Sequence, residues 1–223
     1  MGEGAYSDRL VKAARKELKE RLSPGRYAHA ESVAKTAAML ARTYGVDVRK
    51  AELAGLIHDW DKNYNDTQIR QRAKELGVKV DPEVLEDMPN TLHGATAAVA
   101  LKRAFPEIGD DVLQAIACHT SGAVGMSDLA MVVYIADVIE PLRPYQSMDA
   151  LRDSVGKVSL EELFLATFQH VFLHLVENRS RIHPDTVKVW NYYVCRSRKA
   201  KAAGKAEART EAGTGTRTEK GAT

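Results

Sequence analysis

The sequence predicts an all-α fold: a single helical bundle over residues 1–200, followed by a disordered basic tail over residues 201–223. Three observations predict it. No segment alternates apolar and polar residues with the period of two that a half-buried strand requires, and no hairpin signal such as Asn-Gly occurs. Apolar residues instead recur at helical spacing along most of the chain. Ser, Asp, Gly and Pro stand where helix ends need them.

The elements follow in order. The opening stretch MGEGAYSDRLVKAARKELKERL is charged throughout, so it is no secretory signal. Its Met-Gly start lacks the Ser or Thr at position 6 that myristoylation favours, because Tyr6 stands there. Between Arg26 and Tyr44, the residues Ala30, Val33, Ala34, Ala37, Leu40, Ala41 and Tyr44 form one stripe, and Gly45 is positioned to stop the helix. Ala51, Ala54, Ile57 and His58 continue at helical spacing. Asp66 to Leu76 reads as a short helix closed by Gly77. Asp81-Pro82 is a capping residue followed by a proline at the first helical position. Thr91 to Phe105 is alanine-rich and stops at Pro106. Asp110 is placed to cap VLQAIACH, and Ser127 to cap LAMVVYIADVIE, which Pro141 ends. Ser159-Leu160-Glu161-Glu162 is a capping-box pattern before a long apolar segment. A last helix is expected from about Asp185, with Val187, Trp190 and Val194 facing inward.

Composition narrows the class. Hydrophobic residues make up 44% of 223, the formal net charge is +2, and no apolar run is long enough to span a membrane. Cys118 and Cys195 form no CxxC pair, so free thiols in a reducing cytoplasm are expected. The charge is unevenly spread. From Arg196 onward, eight basic residues face three glutamates, a surplus of +5, which leaves −3 for the remainder. No large apolar residue follows Cys195, so order is expected to end at about Ala203. Such a tail suits solvation, or contact with RNA or another acidic surface.

The chemistry concentrates at GLIHDWDK, residues 55–62. Adjacent residues on a regular helix point about 100° apart. His58 and Asp59 can therefore meet one ion only at a helix end or bend, and Trp60-Asp61-Lys62-Asn63 reads as such an end. Imidazole and carboxylate together suit a borderline divalent ion such as Fe, Mn, Co or Zn. Asp137 lies four residues after Val133 and eight after Leu129, on their inward face. A carboxylate there is costly unless paired or bound to a cation. His29 sits on the core-facing stripe of its helix, His93 opens the alanine-rich helix, and His119 closes the next.

This series His29, His58-Asp59, His93, His119, Asp137 resembles the spaced His and Asp set of the HD phosphohydrolase superfamily, from about Arg26 to Asn191. The stretches RYAHAESVAKTAAMLA, AGLIHDWDK, LHG, AIACHTSG, YIADVIEPLRPY and RIHPDTVKVWN are similar to one branch, the YqeK-type symmetrical diadenosine tetraphosphate hydrolases. Trp60 and Asp61 vary the usual filling between HD and Lys62, but the spacing is kept.

The resemblance implies an iron-dependent hydrolase that splits diadenosine tetraphosphate into two ADP, with Mn or Co as substitutes for iron. His29, His58, Asp59 and Asp137 are the expected metal set. His93 and His119 either complete a second metal position about 3.5–4 Å away, with Asp59 bridging, or hydrogen-bond phosphate. The metal makes hydroxide available near neutral pH for in-line attack on an inner phosphorus. Asp59, Lys62, His93 and His119 are the residues expected to act in catalysis. Arg26, Lys62 and Arg143 are the cations expected to neutralise polyphosphate, joined in substrate binding by Thr120 and Asp137. The segment from Ser180 to Asp185, with Arg181 and His183, is implied to contribute to the nucleotide pocket. His170 and His174 have the i, i+4 spacing of zinc ligands, but HVFLH lacks the glutamate of HExxH and reads as a structural or surface pair. The partners expected are the dinucleotide and its ADP product; a homodimer is left open. The alternatives are another HD-type nucleotidase or phosphodiesterase, or a non-catalytic binding module of the same fold.

Overall fold

In the computed structural model, residues 6–143 and 148–214 are described, with 204–214 described by their backbone alone. Eleven α-helices and one 3₁₀ turn make up the secondary structure of these residues. None of the helices is long and apolar enough to cross a membrane.

Helix α1 (Asp8–Arg21) starts at Ser7, whose side chain accepts from the Leu10 N–H, and buries Leu10, Ala14 and Leu18. This helix lies within the charged N-terminal stretch, where an apolar residue every fourth position was enough to make a buried stripe. Helices α2 (Pro24–Tyr44) and α3 (Val48–Ile57) are joined by a short turn through Gly45, which adopts φ 72°. They approach closely because their facing residues are small. A side chain on Gly55 would come within 3.0 Å of the Ala34 Cα and 3.1 Å of the Ala37 Cβ.

Helix α4 (Asp66–Leu76) has an Asn65–Gln68 capping box and ends at Gly77; α5 (Pro82–Asp87) starts at Asp81. A 3₁₀ turn (Pro89–Leu92) leads into α6 (His93–Ala104), so this helix begins two residues later than Thr91. Ile69, Ala73, Val84, Met88 and Leu92 form a satellite core under this part of the chain. Helix α7 (Asp110–Cys118) departs from expectation at its start. Gly109 is the cap, without a side-chain bond, and Asp110 is already helical. The Asp111 carboxylate accepts from the Val112 N–H instead. Helix α8 (Asp128–Ile139) is capped by Ser127 as expected and is buried along almost its whole length.

After α9 (Asp149–Ser154), α10 (Leu160–Glu177) starts with the Ser159–Glu162 capping box. Helix α11 (Thr186–Thr214) differs from expectation in two ways. Its inward residues are Thr186, Val189 and Tyr193, while Val187 is 52% exposed and Trp190 and Val194 are half-buried. Tyr193 wins the core position because its ring packs on Phe164 and its hydroxyl accepts from the Met126 N–H at 2.9 Å. The backbone also continues as helix past Ala203 to Thr214, in keeping with the helix-favouring Ala, Lys, Arg and Glu of that segment. The remainder of the expected tail, residues 215–223, lies outside the described residues.

Candidate metal centre

Five helices deliver six side chains to one place. His29 comes from the second turn of α2 and Asp137 from the last turn of α8. His93 is the first residue of α6, and His119 follows the last residue of α7. His58 and Asp59 lie just past the end of α3 at Ile57. There the backbone continues in tight turns, with the Trp60 N–H donating to Ile57 and the Lys62 N–H to Asp59. That departure from regular helix lets two adjacent side chains face the same point.

The turn is firmly anchored. Asp61 is buried, and its carboxylate accepts from Arg21 at 3.2 Å and Arg72 at 2.6 Å. The Arg21 guanidinium also lies over the buried Trp60 ring, 4.7 Å from its centroid. The varied Trp60-Asp61 filling between HD and Lys62 is thus a packed, charge-paired strut.

The histidines share one arrangement. His58 Nδ1 lies 2.7 Å from the Gly55 carbonyl, His93 Nδ1 2.7 Å from the Asn90 carbonyl, and His119 Nδ1 2.7 Å from the Ile116 carbonyl. His29 Nδ1 lies 3.0 Å from the Glu140 carboxylate. The partners of His58, His93 and His119 are carbonyls, which only accept, so in these three Nδ1 carries the hydrogen and the Nε2 lone pair points into the centre. His29 lies between two carboxylates, and although burial lowers its pKa, the hydrogen bonds with Asp137 and Glu140 leave it raised. Around it, His29 Nε2 is 3.0 Å from Asp137 and 4.0 Å from Asp59. His58 Nε2 is 3.5 Å from Asp59 and 3.7 Å from Asp137. His93 Nε2 is 3.1 Å from Asp59, and His119 Nε2 is 3.7 Å from it.

These distances pose a problem that a cation solves. His58 Nε2 is buried with no hydrogen-bond partner. His93 Nε2 and His119 Nε2 face each other at 3.0 Å, two lone pairs with an anionic Asp59 oxygen beside them. Burial holds His58 neutral, pushing its pKa down to about 4 against the pull of Asp59 and Asp137. Burial also opposes ionisation of Asp137, but the His29 hydrogen bond and the charge of Arg143 hold it well below the usual carboxylate range. Burial likewise lowers the pKa of His93, and a neutral imidazole beside an ionised carboxylate is the protonation state a divalent ion needs. Ligand atoms with metal-holding proximity occur in three overlapping triplets: His29, His58 and Asp59; His58, His119 and Asp137; and Asp59, His93 and His119.

The residues expected to meet substrate surround this cluster. Lys62 Nζ lies 3.3 Å from His93 Nε2, and the Thr120 hydroxyl 3.4 Å from both His93 and His119 Nε2. Arg143 donates to Asp137 at 2.8 Å. Arg26 shares a cavity of about 330 Å³ with His29, Asp59, Lys62, Asp137 and Arg143. Arg181 and His183 are not brought to the cluster. They line a separate groove of about 470 Å³, which meets the centre at Thr120, and Arg181 pairs with Asp87 at 2.7 Å.

Two contributors were missed in the sequence. Glu140 is buried, holds His29 through one carboxylate oxygen, and accepts from the Leu142 N–H at 2.7 Å with the other. The signal was present, since Glu140 is three residues after Asp137 at the end of a helix whose inward face was already identified. Gly94 is the second. A side chain there would meet the Ile116 carbonyl at 2.7 Å and His119 Nδ1 at 3.1 Å. Only glycine lets α6 and the end of α7 approach closely enough to bring His93 and His119 together.

A bundle that gathers His, His-Asp, His, His and Asp around one point is the defining feature of a class of metal-dependent helical proteins. The family model of the HD domain matches residues 26–142, which hold all six clustered side chains. The chain belongs to the HD-domain family. Within it, the chain is 32% identical over 178 residues to the symmetrical bis(5′-nucleosyl)-tetraphosphatase of Bacillus subtilis, covering 79% of this chain and 94% of that protein. Its identity to the protein of the same name from Staphylococcus aureus is 32% over 186 residues, covering 82% and 94%. Among solved structures, it is similar to a predicted HD superfamily hydrolase involved in NAD metabolism from Clostridium acetobutylicum. That likeness has a TM-score of 0.78 at 30% identity and covers 86% of this chain and all of the other.

Proposed function

We propose that this protein hydrolyses diadenosine tetraphosphate symmetrically, giving two ADP, at a centre that His29, His58, Asp59 and Asp137 form around a divalent ion. The observation that carries the metal part is the buried His58 Nε2, which has no partner and is directed at the carboxylates of Asp59 and Asp137. The substrate is supported by the relatives named symmetrical bis(5′-nucleosyl)-tetraphosphatase, which match along most of their length. Imidazole with carboxylate suits iron, with manganese or cobalt as substitutes. Asp59 belongs to two of the ligand triplets, which supports a second position with His93 and His119.

When bound, the ion supplies Lewis-acid polarisation of phosphate and activation of water near neutral pH. The remaining work falls to this chain's own residues. Asp59 and Asp137 balance the charge of the ion and fix the orientation of the imidazoles. Glu140 and the three backbone carbonyls hold each ring in the tautomer that presents Nε2. Arg26, Lys62 and Arg143 neutralise the polyphosphate, which carries more negative charge than the ion can offset. Burial lowers the pKa of Lys62 and the charges of Asp59 and Asp137 raise it, with burial dominant. Lys62 lies 3.3 Å from His93 Nε2 and lines two cavities beside the centre, where its ammonium is placed to donate to phosphate oxygens. Thr120 lies within hydrogen-bond reach of both imidazoles and is placed to donate to a phosphate oxygen. Arg181 and His183 line the groove for one nucleoside end, together with Phe168 and Phe172, whose rings suit stacking on a base.

The test is product analysis. Reduced, iron-loaded protein incubated with diadenosine tetraphosphate is expected to yield ADP alone. Appearance of AMP and ATP contradicts symmetric cleavage, and no turnover with iron, manganese or cobalt contradicts the enzymatic reading.

A further inference from the structure

His170 and His174 stand one turn apart on α10, and the metal centre does not use them. Neither is part of a metal-holding group among the described residues. Instead both line a second groove of about 520 Å³, between the end of α8 and α10. Its floor is the centre itself: Lys62, His93, His119 and Asp137, with Arg143 beside them. Its wall is apolar, with Val138, Met148 and Leu173. This groove meets the Arg181 and His183 groove at Thr120, Tyr134 and Val171, so the two diverge from one origin beside the ligands.

We infer that this second groove, with His170 and His174 on its wall, binds the second nucleoside of the dinucleotide, an inference that rests on the function proposed above. Cleavage in the middle of a four-phosphate bridge requires chain to extend both ways from the reacting phosphorus. One groove accommodates one end only. Three cavities open on the centre, and their linings assign them. The Arg26 cavity has three cations and a single large apolar residue, Leu142, which suits phosphates and not a base. The other two have apolar walls and volumes in the range of small-molecule sites. His170 is half-buried, and His174 is held by the Asn178 side chain at 3.2 Å. An imidazole ring offers a face for a base and a nitrogen for a ribose hydroxyl, and it costs little rotamer entropy to order.

Two substrates that share a phosphate chain separate this groove from the rest of the site. Diadenosine tetraphosphate has a nucleoside at both ends, and adenosine 5′-tetraphosphate has one. The KM of the first and the Ki of the second as a competitor are measured on the iron-loaded full chain. In His170→Trp, which fills the groove, the ratio of KM to Ki is expected to rise on the order of tenfold. His170→Ala, which only removes the ring, is expected to move the same ratio in the same direction by less, and guards against misfolding of the larger variant. An unchanged ratio in both variants, with the wild type still producing ADP, overturns the inference and leaves the proposed function intact. A wild type that does not cleave the dinucleotide overturns the proposed function first, and this inference with it.

Discussion

The molecule has two groups of histidines, and they could hardly be used more differently. His29, His58, His93 and His119 come from four separate elements, and each has Nδ1 tied to an acceptor and Nε2 facing the others. His170 and His174 come from one helix at the spacing most often associated with zinc, yet they line an open groove and join no ligand group among the described residues. Ligand chemistry here follows from what fixes the ring, not from separation along the chain. An acceptor on Nδ1 chooses the tautomer and aims the lone pair, and three of the four acceptors are backbone carbonyls three residues upstream.

The contrast is broken most directly by one substitution at the centre and one in the groove. Asp59→Asn keeps the shape but removes the charge shared by two of the three triplets, and hydrolysis is expected to fall on the order of 10³-fold or more. His174→Ala is expected to cost about tenfold or less, mainly in KM. Comparable losses in steady-state assays would mean that the two groups are not functionally distinct.

A smaller effect tests the tie on His29. Glu140→Gln leaves an amide in place of the carboxylate that holds Nδ1, and metal affinity is expected to drop about 10–100-fold. Glu140→Asp, which keeps the charge, should recover part of the loss. Metal titration followed by calorimetry reads both variants; unchanged affinity in Glu140→Gln removes the tie from the account.

Next in size is the close approach at Gly94. Gly94→Ala places a methyl group 2.7 Å from the Ile116 carbonyl. It is expected to destabilise the fold by about 1–3 kcal/mol in a denaturant titration, with loss of activity as His119 is displaced. The smallest effect lies far from the centre, at the start of α10. The hydrogen bonds from the Ser159 hydroxyl and N–H hold Glu162 below its ordinary pKa. Its stabilisation is therefore present above the unfolded-state value near 4.5 and is lost as pH falls through the lower folded value. Ser159→Ala is expected to cost about 1 kcal/mol at neutral pH, with the difference from wild type narrowing under acid. Activity at the centre should not change.

Much of this was legible before any coordinates. The stops at Gly45 and Gly77, and the starts at Asp81-Pro82, Ser127 and Ser159, follow from local backbone chemistry that needs no tertiary information. Asp137 could be named because a carboxylate on an apolar face is costly without a partner, while His29, His58, Asp59, His93 and His119 were joined to it by the resemblance to the HD phosphohydrolase superfamily. What was hidden depended on packing between elements. The phase of α11 was misread because Val187, Trp190 and Val194 fit a helical stripe as well as Thr186, Val189 and Tyr193 do. Only Phe164 and the Met126 N–H favour the second. Gly94 looked like one more small residue in an alanine-rich helix until its distance to α7 was known. Arg181 and His183, named by resemblance alone, sit in a groove that meets the centre only at its edge.

The central claim is that converging lone pairs and carboxylates hold a divalent ion, and elemental analysis of the purified protein tests it most directly. Protein expressed with iron or manganese and then freed of loosely held metal is expected to retain one or two ions per chain. His58→Ala and Asp137→Ala should retain far less while remaining helical by circular dichroism. A folded wild type that retains no divalent ion, or a His58→Ala variant that retains as much as wild type, would contradict the account.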